Sequence, residues 1–532
     1  MQSEFDYIIV GAGSAGCVMA NRLSANPGVS VLLIESGPAD KSFFIRMPRG
    51  IGKLLEPGNP HVWDYHAVAR EGAPNELWMK GRTVGGSSSV NGMVYMRGFP
   101  QDFDGWQQAG CEGWGWEHIH RQYLALEDHA LGASPSRGSG GPLGISVHPR
   151  GNKLVAAILD AGRAMGTPTV DDINSLEATQ RGGLGYQTRN IWKGERRSAA
   201  DVFLKPALDR KNLQLVVDTT AKRIVFEDKR AVGVEVVRGP DLSNYRARRE
   251  VILCAGAIES PKLLQLSGVG DGETLQSLGL PVVHSAPQVG KNLREHCYFA
   301  MQYRVREGSL NGAFQGLGLP KSVIKYLISK TGPMSHAAHE AGGVVKTRPD
   351  LALPDAQIGI SLHSMVGDGQ RVRLEKEPGL TMGGYFLRPE SQGEIRITSP
   401  DYREKPYICA NYLSSEVDQR HAVSLVKWVR DCVSQTPLRP FVVDEVKPGY
   451  QYAGDDEILD AFKSMGQTAF HVAGTCRMGS DSDSVVDPQL RVRGVEGLRV
   501  VDTSVMPTLV SGNTNAPMMA MAMRAAEIMT GS

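Results

Sequence analysis

A glycine turn between a strand and a helix, at the very start of the chain, limits the fold more than any other stretch. Asp6 to Val10 is a short apolar run rich in β-branched residues. Gly11-Ala12-Gly13-Ser14-Ala15-Gly16 follows at once, then the helix-forming stretch Cys17 to Leu23 and a second apolar run, Val31 to Ile34. Strand, glycine turn, helix and strand in this order predict a Rossmann-like unit that binds a dinucleotide. Gly11 permits the tight turn, Gly13 admits a pyrophosphate to the backbone amides, and Gly16 lets the helix lie close on the strand. Ser14 and Ala15 open the helix, whose N-terminal end carries positive potential towards the phosphates. Glu35, 19 residues after Gly16, ends the second strand. An acid there accepts hydrogen bonds from ribose hydroxyls and repels a 2′-phosphate. The turn alone does not separate FAD from NAD.

Two more glycine-rich stretches ask for close backbone approaches, and glycine is 61 of 532 residues, about 11% against an average near 7%. Gly81-Arg82-Thr83-Val84-Gly85-Gly86-Ser87-Ser88-Ser89-Val90-Asn91-Gly92 is poor material for a helix or a strand. It predicts an irregular loop whose amides and hydroxyls point at one ligand, anchored in a core by Val84, Val90 and Met93. Val251 to Cys254 reads as a buried strand leading into Gly256-Ala257-Ile258-Glu259-Ser260-Pro261. Ser260 suits a helix N-cap, Pro261 the first turn and Gly268 the helix stop.

The C-terminal end carries candidates for chemistry. His471 lies in Phe470-His471-Val472-Ala473-Gly474-Thr475, and Asn513 and Asn515 lie in Gly512-Asn513-Thr514-Asn515-Ala516-Pro517-Met518. A helix is expected from about Ala516 to Thr530, with Pro517 in its first turn and Thr514 or Asn515 as its cap. Histidine can act as a base poised near neutral pH, an asparagine amide can donate to developing negative charge, and a helix N-terminus supplies positive potential. Asn513 competes with Asn515 but reads more readily as a turn residue.

The stretches Gly81 to Asp104 and Gly256 to Gly270 resemble, position by position, the two signature motifs of the glucose-methanol-choline (GMC) oxidoreductases. Gly290-Lys291-Asn292-Leu293 and the C-terminal blocks are similar as well, so the resemblance runs from Phe5 to Ile528. Its nearest look is to bacterial choline-dehydrogenase-like and alcohol-dehydrogenase-like members. The resemblance implies FAD rather than NAD, and oxidation of a primary alcohol to an aldehyde by proton abstraction and hydride transfer to flavin N5. His471 would be the base and Asn515 would orient the oxygen. Cofactor contacts implied besides the first turn are Trp63, Arg82, Val84, Gly85, Gly86, Ser87, Asn91, Gly92, Met93, Val94, Asp502, Ala516, Pro517 and Met518, with Ala221 against the adenine. Some members attach FAD through a histidine; the matching position is Val90, so FAD is expected to be non-covalent. Val472 stands where the family usually has proline. Where the family often has Asp-His, this chain has Glu295-His296, read here as a buried structural pair. The alternative is an FAD-containing non-redox enzyme of the same fold, of the hydroxynitrile lyase or fatty-acid photodecarboxylase type.

The implied architecture is a Rossmann-like FAD-binding domain joined to an α+β substrate domain on an antiparallel sheet. Residues 1–296 form the FAD region, with substrate-domain insertions at about 41–79 and 111–199. Residues 297–465 form most of the substrate domain, and 466–532 return to the FAD domain with the catalytic pair. Lysine and arginine total 58 against 57 acidic residues, and no dense basic patch points to nucleic acid. Seven cysteines without paired spacing suggest a reduced compartment and no metal site. No apolar run is long enough for a transmembrane helix, and Met1 to Phe5 do not begin a signal peptide. The expected location is cytoplasmic or peripheral to the inner membrane. The expected partners are an alcohol and an electron acceptor, quinone-like or O2.

Overall fold

The computed structural model describes residues 3–367 and 372–531. Strand β1 (Glu4–Val10), helix α1 (Ser14–Leu23) and strand β2 (Val31–Ile34) form the expected unit. β1 and β2 are parallel, Tyr7 opposite Val31 and Val10 opposite Ile34. The sheet continues through β3 (Leu213–Val216), β4 (Thr220–Glu227), β5 (Arg230–Arg238) and β6 (Asp241–Leu253) in the order β3-β2-β1-β6-β5-β4. Leu498–Val500 pairs with the end of β6. β3, β2, β1, the end of β6 and Leu498–Val500 run parallel, whereas β4 and β5 are antiparallel. The burial follows this change. β2 is buried along its length, as a parallel strand covered on both faces must be. β6 is exposed through most of its antiparallel half and becomes fully buried at Val251–Leu253.

Helix α2 corrects one expectation. It spans Gly256–Leu266, so Pro261 lies inside it and Ser260 does not cap it. Proline has no N–H for the carbonyl four residues earlier. That carbonyl, on Ala257, instead accepts from Thr475 Oγ1 at 2.7 Å. The freed Ser260 hydroxyl donates to Asp502 at 2.6 Å. A proline that would stop an isolated helix is thus accommodated by the C-terminal segment packed against it.

A second, seven-stranded sheet is wholly antiparallel. Its order is 442–447, 297–305, 379–386, 356–361, 341–345 and 183–186, with 467–468 added beside Cys297. The helix Glu416–Ser434 covers it. Two main hydrophobic cores result, one around the parallel sheet and one around the antiparallel sheet. Leu154 to Ala161 and Leu184 supply residues to the second core. The segment 111–145 does not: Trp114, Tyr123 and Ile145 belong to the first core. The helix Trp116–Leu126 packs on the C-terminal helix of the FAD side, which draws the segment there. Two further helices matter below, α3 (Gly318–Ser329) and α4 (Asn515–Thr530).

Candidate active site

A cavity of about 770 Å³ runs between the two sheets, beginning at the carboxyl ends of β1 and β2, where Val10 and Ile34 line it. This is where open parallel sheets place ligands. Its floor is made of two glycine loops in contact. The Gly85 N–H donates to the Ala12 carbonyl at 2.7 Å. A Cβ on Gly86 would stand 2.6 Å from the Gly13 Cα, and one on Gly16 would stand 1.9 Å from the Gly11 carbonyl oxygen. No other residue type allows these approaches. The N-termini of α1 and α4 both face the cavity, and the Ser14 hydroxyl joins them by donating to Asn515 Oδ1 at 2.8 Å. Arg82 lies over the Trp63 ring at 4.5 Å, and its buried Nε has no partner among the described residues. A glycine floor, two positive helix ends and an unpartnered guanidinium N–H fit an anionic dinucleotide such as FAD.

Glu35 reaches this floor with both oxygens engaged. They accept from the Ala12 and Gly37 N–H groups at 2.9 and 2.8 Å. Burial pushes its pKa up to about 7 against the pull of these two donors. The acid therefore braces the glycine turn as well as lining the nucleotide end. Asp502 accepts from the N–H groups of Gly256 and Ser504 and from Ser260, so it holds the start of α2 against the cavity.

The catalytic end is built from segments far apart in sequence. His471 Nδ1 lies 2.9 Å from His296 Nδ1, and His296 Nε2 lies 2.9 Å from the Leu387 carbonyl. A carbonyl only accepts, so the neutral His296 carries its proton on Nε2 and accepts at Nδ1. His471 must then carry its proton on Nδ1. This leaves the Nε2 lone pair as an acceptor on the cavity side. Burial pushes His296 down to about 3. Burial, with His296 and Lys80 nearby, holds His471 well below the usual histidine range. Both rings are thus neutral at physiological pH.

A second chain of hydrogen bonds reaches the other ring nitrogen, Nε2. The Tyr385 hydroxyl donates to Gln357 Oε1 at 2.8 Å, Gln357 Nε2 donates to Asn513 Oδ1 at 3.0 Å, and Asn513 Nδ2 lies 2.9 Å from His471 Nε2. Tyr385 also stacks on His296, centroids 4.3 Å apart, so one ring braces both chains. The backbone at the base is strained. Phe470 has φ +65°, a left-handed conformation that bulky residues seldom adopt. Lys80 Nζ donates to the Phe470 carbonyl at 2.7 Å, Thr468 Oγ1 accepts from its N–H, and Glu295 accepts from the His471 N–H at 2.8 Å. The Glu295-His296 pair is buried, as read from sequence, and each member holds part of His471.

The structure corrects the expected pairing. Asn513, not Asn515, meets His471. Asn515 is the first residue of α4 and its side chain is turned to Ser14. Helix geometry separates the two asparagines: Asn513 precedes the helix, and its side chain reaches Gln357 and His471. Most expected cofactor residues line the cavity: Gly11, Gly13, Ser14, Ala15, Glu35, Trp63, Arg82, Gly86, Ser87, Asn91, Gly92, Met93, Val94, Ala221, Asp502 and Met518. Gly16, Val84, Gly85, Ala516 and Pro517 stand behind that lining and shape it; Gly85 and Gly16 do so through the close backbone approaches above. Tyr298, His339, Gln357 and Tyr385 line the catalytic end and were missed. They come from strands and loops of the antiparallel sheet with no local motif.

The GMC oxidoreductase family models match residues 5–298 and 389–522. The chain belongs to this family: it is an FAD-dependent oxidoreductase acting on CH–OH donors. It is 40% identical to human mitochondrial choline dehydrogenase, over 100% of this chain and 90% of that one. It is 36% identical to the alcohol dehydrogenase [acceptor] of Pseudomonas putida, over 98% and 95%. The crystal structure of pyridoxine 4-oxidase from Mesorbium loti superposes with a TM-score of 0.89 at 30% identity, covering 99% of each chain.

Proposed function

We propose that the protein oxidises a neutral primary alcohol to an aldehyde, with His471 as the base and Asn513 as the group that orients the oxygen. The observation that carries this is the convergence of two hydrogen-bond chains on the His471 ring, one at Nδ1 and the other at Nε2. An alcohol hydroxyl that replaces the direct Asn513–Nε2 hydrogen bond gives its proton to Nε2 and accepts a hydrogen bond from the Asn513 amide. The forming alkoxide keeps that amide donor, which acts as an oxyanion stabiliser. His296 accepts from Nδ1–H throughout and so keeps the ring in the orientation that presents Nε2. FAD, when bound, accepts the hydride that leaves the alcohol carbon. Val90 lines the cavity without a nucleophilic atom, which supports non-covalent attachment. The electron acceptor is quinone-like or O2; the Pseudomonas relative is named for an unspecified acceptor and the Pectobacterium relative for oxygen.

The substrate end supports a neutral alcohol over a cationic one. The lining residues from the antiparallel sheet and from 467–472 include Tyr298, His339, Gln357 and Tyr385 but no aspartate or glutamate. Glu295 is buried behind His471 and already bound by two donors. A quaternary ammonium would find aromatic faces without a carboxylate, alongside Lys80. Anaerobic mixing with a panel of primary alcohols tests the reading. Neutral alcohols should bleach the flavin with a higher kcat/KM than choline. Preference for choline would overturn the substrate class, and failure of every alcohol would overturn the reaction. Acid precipitation should release the flavin, and slow recolouring in air should identify a dehydrogenase.

A further inference from the structure

Helix α3 presents an apolar ridge to solvent. Ser322 and Tyr326 fasten it to the protein and are buried, Tyr326 edge-on to Phe43 with centroids 6.3 Å apart. The other side carries Ile324 and Ile328, 56% and 82% exposed, and Leu317, just before the helix, is 92% exposed. At 100° per residue these three positions fall within about 40° of one another. The ridge is widened by its neighbours. Phe43 and Phe44 are exposed beside Tyr326, and Met365 and Val366 are exposed on a hairpin tied to the start of α3. Gln315 donates to the Glu375 carbonyl at 2.9 Å, and Phe314 meets His363 edge-on. These seven exposed side chains are among the 18 large apolar side chains exposed among the described residues, so more than a third of that exposure gathers here. Scattered exposed apolar residues need no explanation, but a contiguous face does.

The charge on the ridge is one-sided. Leu317 to Lys330 contains Lys321, Lys325 and Lys330 and no acidic residue, in a chain whose net charge is only +1. Lys330 is paired with Glu195 at 3.2 Å. Lys321 and Lys325 are exposed, and no salt bridge seen among the described residues uses them. An apolar ridge flanked by unpaired lysines matches an anionic lipid surface. It does not match a second copy of this chain. A two-fold contact would set α3 against α3 and bring like charges together with no carboxylate on the helix to offset them.

We propose that this face docks on an anionic phospholipid bilayer. Leu317, Ile324 and Ile328 enter the acyl boundary while Lys321 and Lys325 meet the headgroup phosphates. The helix lies in the interface: its 12 residues span about 18 Å, and no helix among the described residues is long and apolar enough to cross a membrane. Docking also places a wall of the catalytic cavity beside the bilayer. Ile51 and Leu55, which follow the exposed Phe43 and Phe44, line that cavity. The docking does not depend on the identity of the alcohol.

The test is flotation of the full-length, FAD-loaded protein with phosphatidylcholine vesicles, with and without phosphatidylglycerol. The protein should float with the anionic vesicles, and salt should weaken the binding. The triple variant Leu317→Ser, Ile324→Ser, Ile328→Ser should lose about tenfold or more of it. Lys321→Glu with Lys325→Glu should abolish the preference for phosphatidylglycerol. Both variants should keep the flavin spectrum and the turnover of a soluble alcohol with a soluble dye. Absence of flotation, equal flotation with neutral vesicles, or flotation unaltered by the triple variant would overturn the proposal. So would light scattering that shows a dimer which the triple variant splits, since a second copy would then cover the face.

Discussion

The two walls of the catalytic cavity act by different means. The wall of β1, β2 and the glycine loops acts through its backbone: N–H groups, helix ends and positions where a Cβ would collide. The wall opposite acts through side chains: His471 and Asn513, held by His296, Gln357 and Tyr385. The difference teaches that damage to the first wall should remove the cofactor, while damage to the second should remove the rate and leave the cofactor in place.

The largest expected break of that comparison is Gly16→Val. Its Cβ would stand 1.9 Å from the Gly11 carbonyl oxygen, a clash expected to cost more than about 4 kcal/mol. Little soluble, flavin-loaded protein should be recovered, as the visible spectrum of the purified product will show. His471→Ala should do the reverse. Flavin content and Tm should stay near those of the parent, while flavin reduction by the best alcohol slows by about 10²–10⁴-fold. Near-full reduction rates in this variant would remove His471 as the base.

The two asparagines sharpen the comparison further. Asn513→Ala should slow reduction by about 10²-fold with flavin retained. Asn515→Ala removes only the contact with Ser14 and should cost about 1 kcal/mol of stability, with the rate close to that of the parent. The opposite ranking would restore Asn515 as the catalytic partner. The smallest effect concerns pH. A base whose pKa lies below the usual value of about 6.5 stays unprotonated at neutral pH. Activity is therefore kept down to that pH and lost only as pH falls through the lowered pKa. The profile of kcat/KM should change by less than about twofold between pH 8 and 6.5. His296→Ala leaves the His471 Nδ1–H without its acceptor and should lower kcat by about tenfold and shift the acid limb. His296→Gln, which offers a carbonyl acceptor, should recover part of both, which a merely structural role for His296 would not predict.

Much of the first wall could be read along the chain. β2 occupies Val31–Ile34 as expected, and α1 follows Gly11–Gly16 directly, because backbone cradles need glycines at fixed local spacing. The second wall could be read only in part. His471 was legible through its motif, but its partners were not. Asn513 and Asn515 are two residues apart and chemically identical; the start of α4 between them decides which one faces the base. His296 and Glu295 read as a buried pair, and their hold on His471 appears only when strand 297–305 pairs with 467–468. Pro261 and the segment 111–145 were misplaced for the same reason, since Thr475 and α4 reach them from more than 200 residues away in sequence.

By itself the sequence determined the class of ligand and the order of the nucleotide-binding unit, since steric permission for a close backbone approach is written residue by residue in glycine. Only the tertiary structure decided which asparagine faces the base, which tautomer His471 holds and which apolar face stays open to solvent. Those depend on hydrogen-bond partners and burial brought together across the whole chain, and no local spacing carries that information.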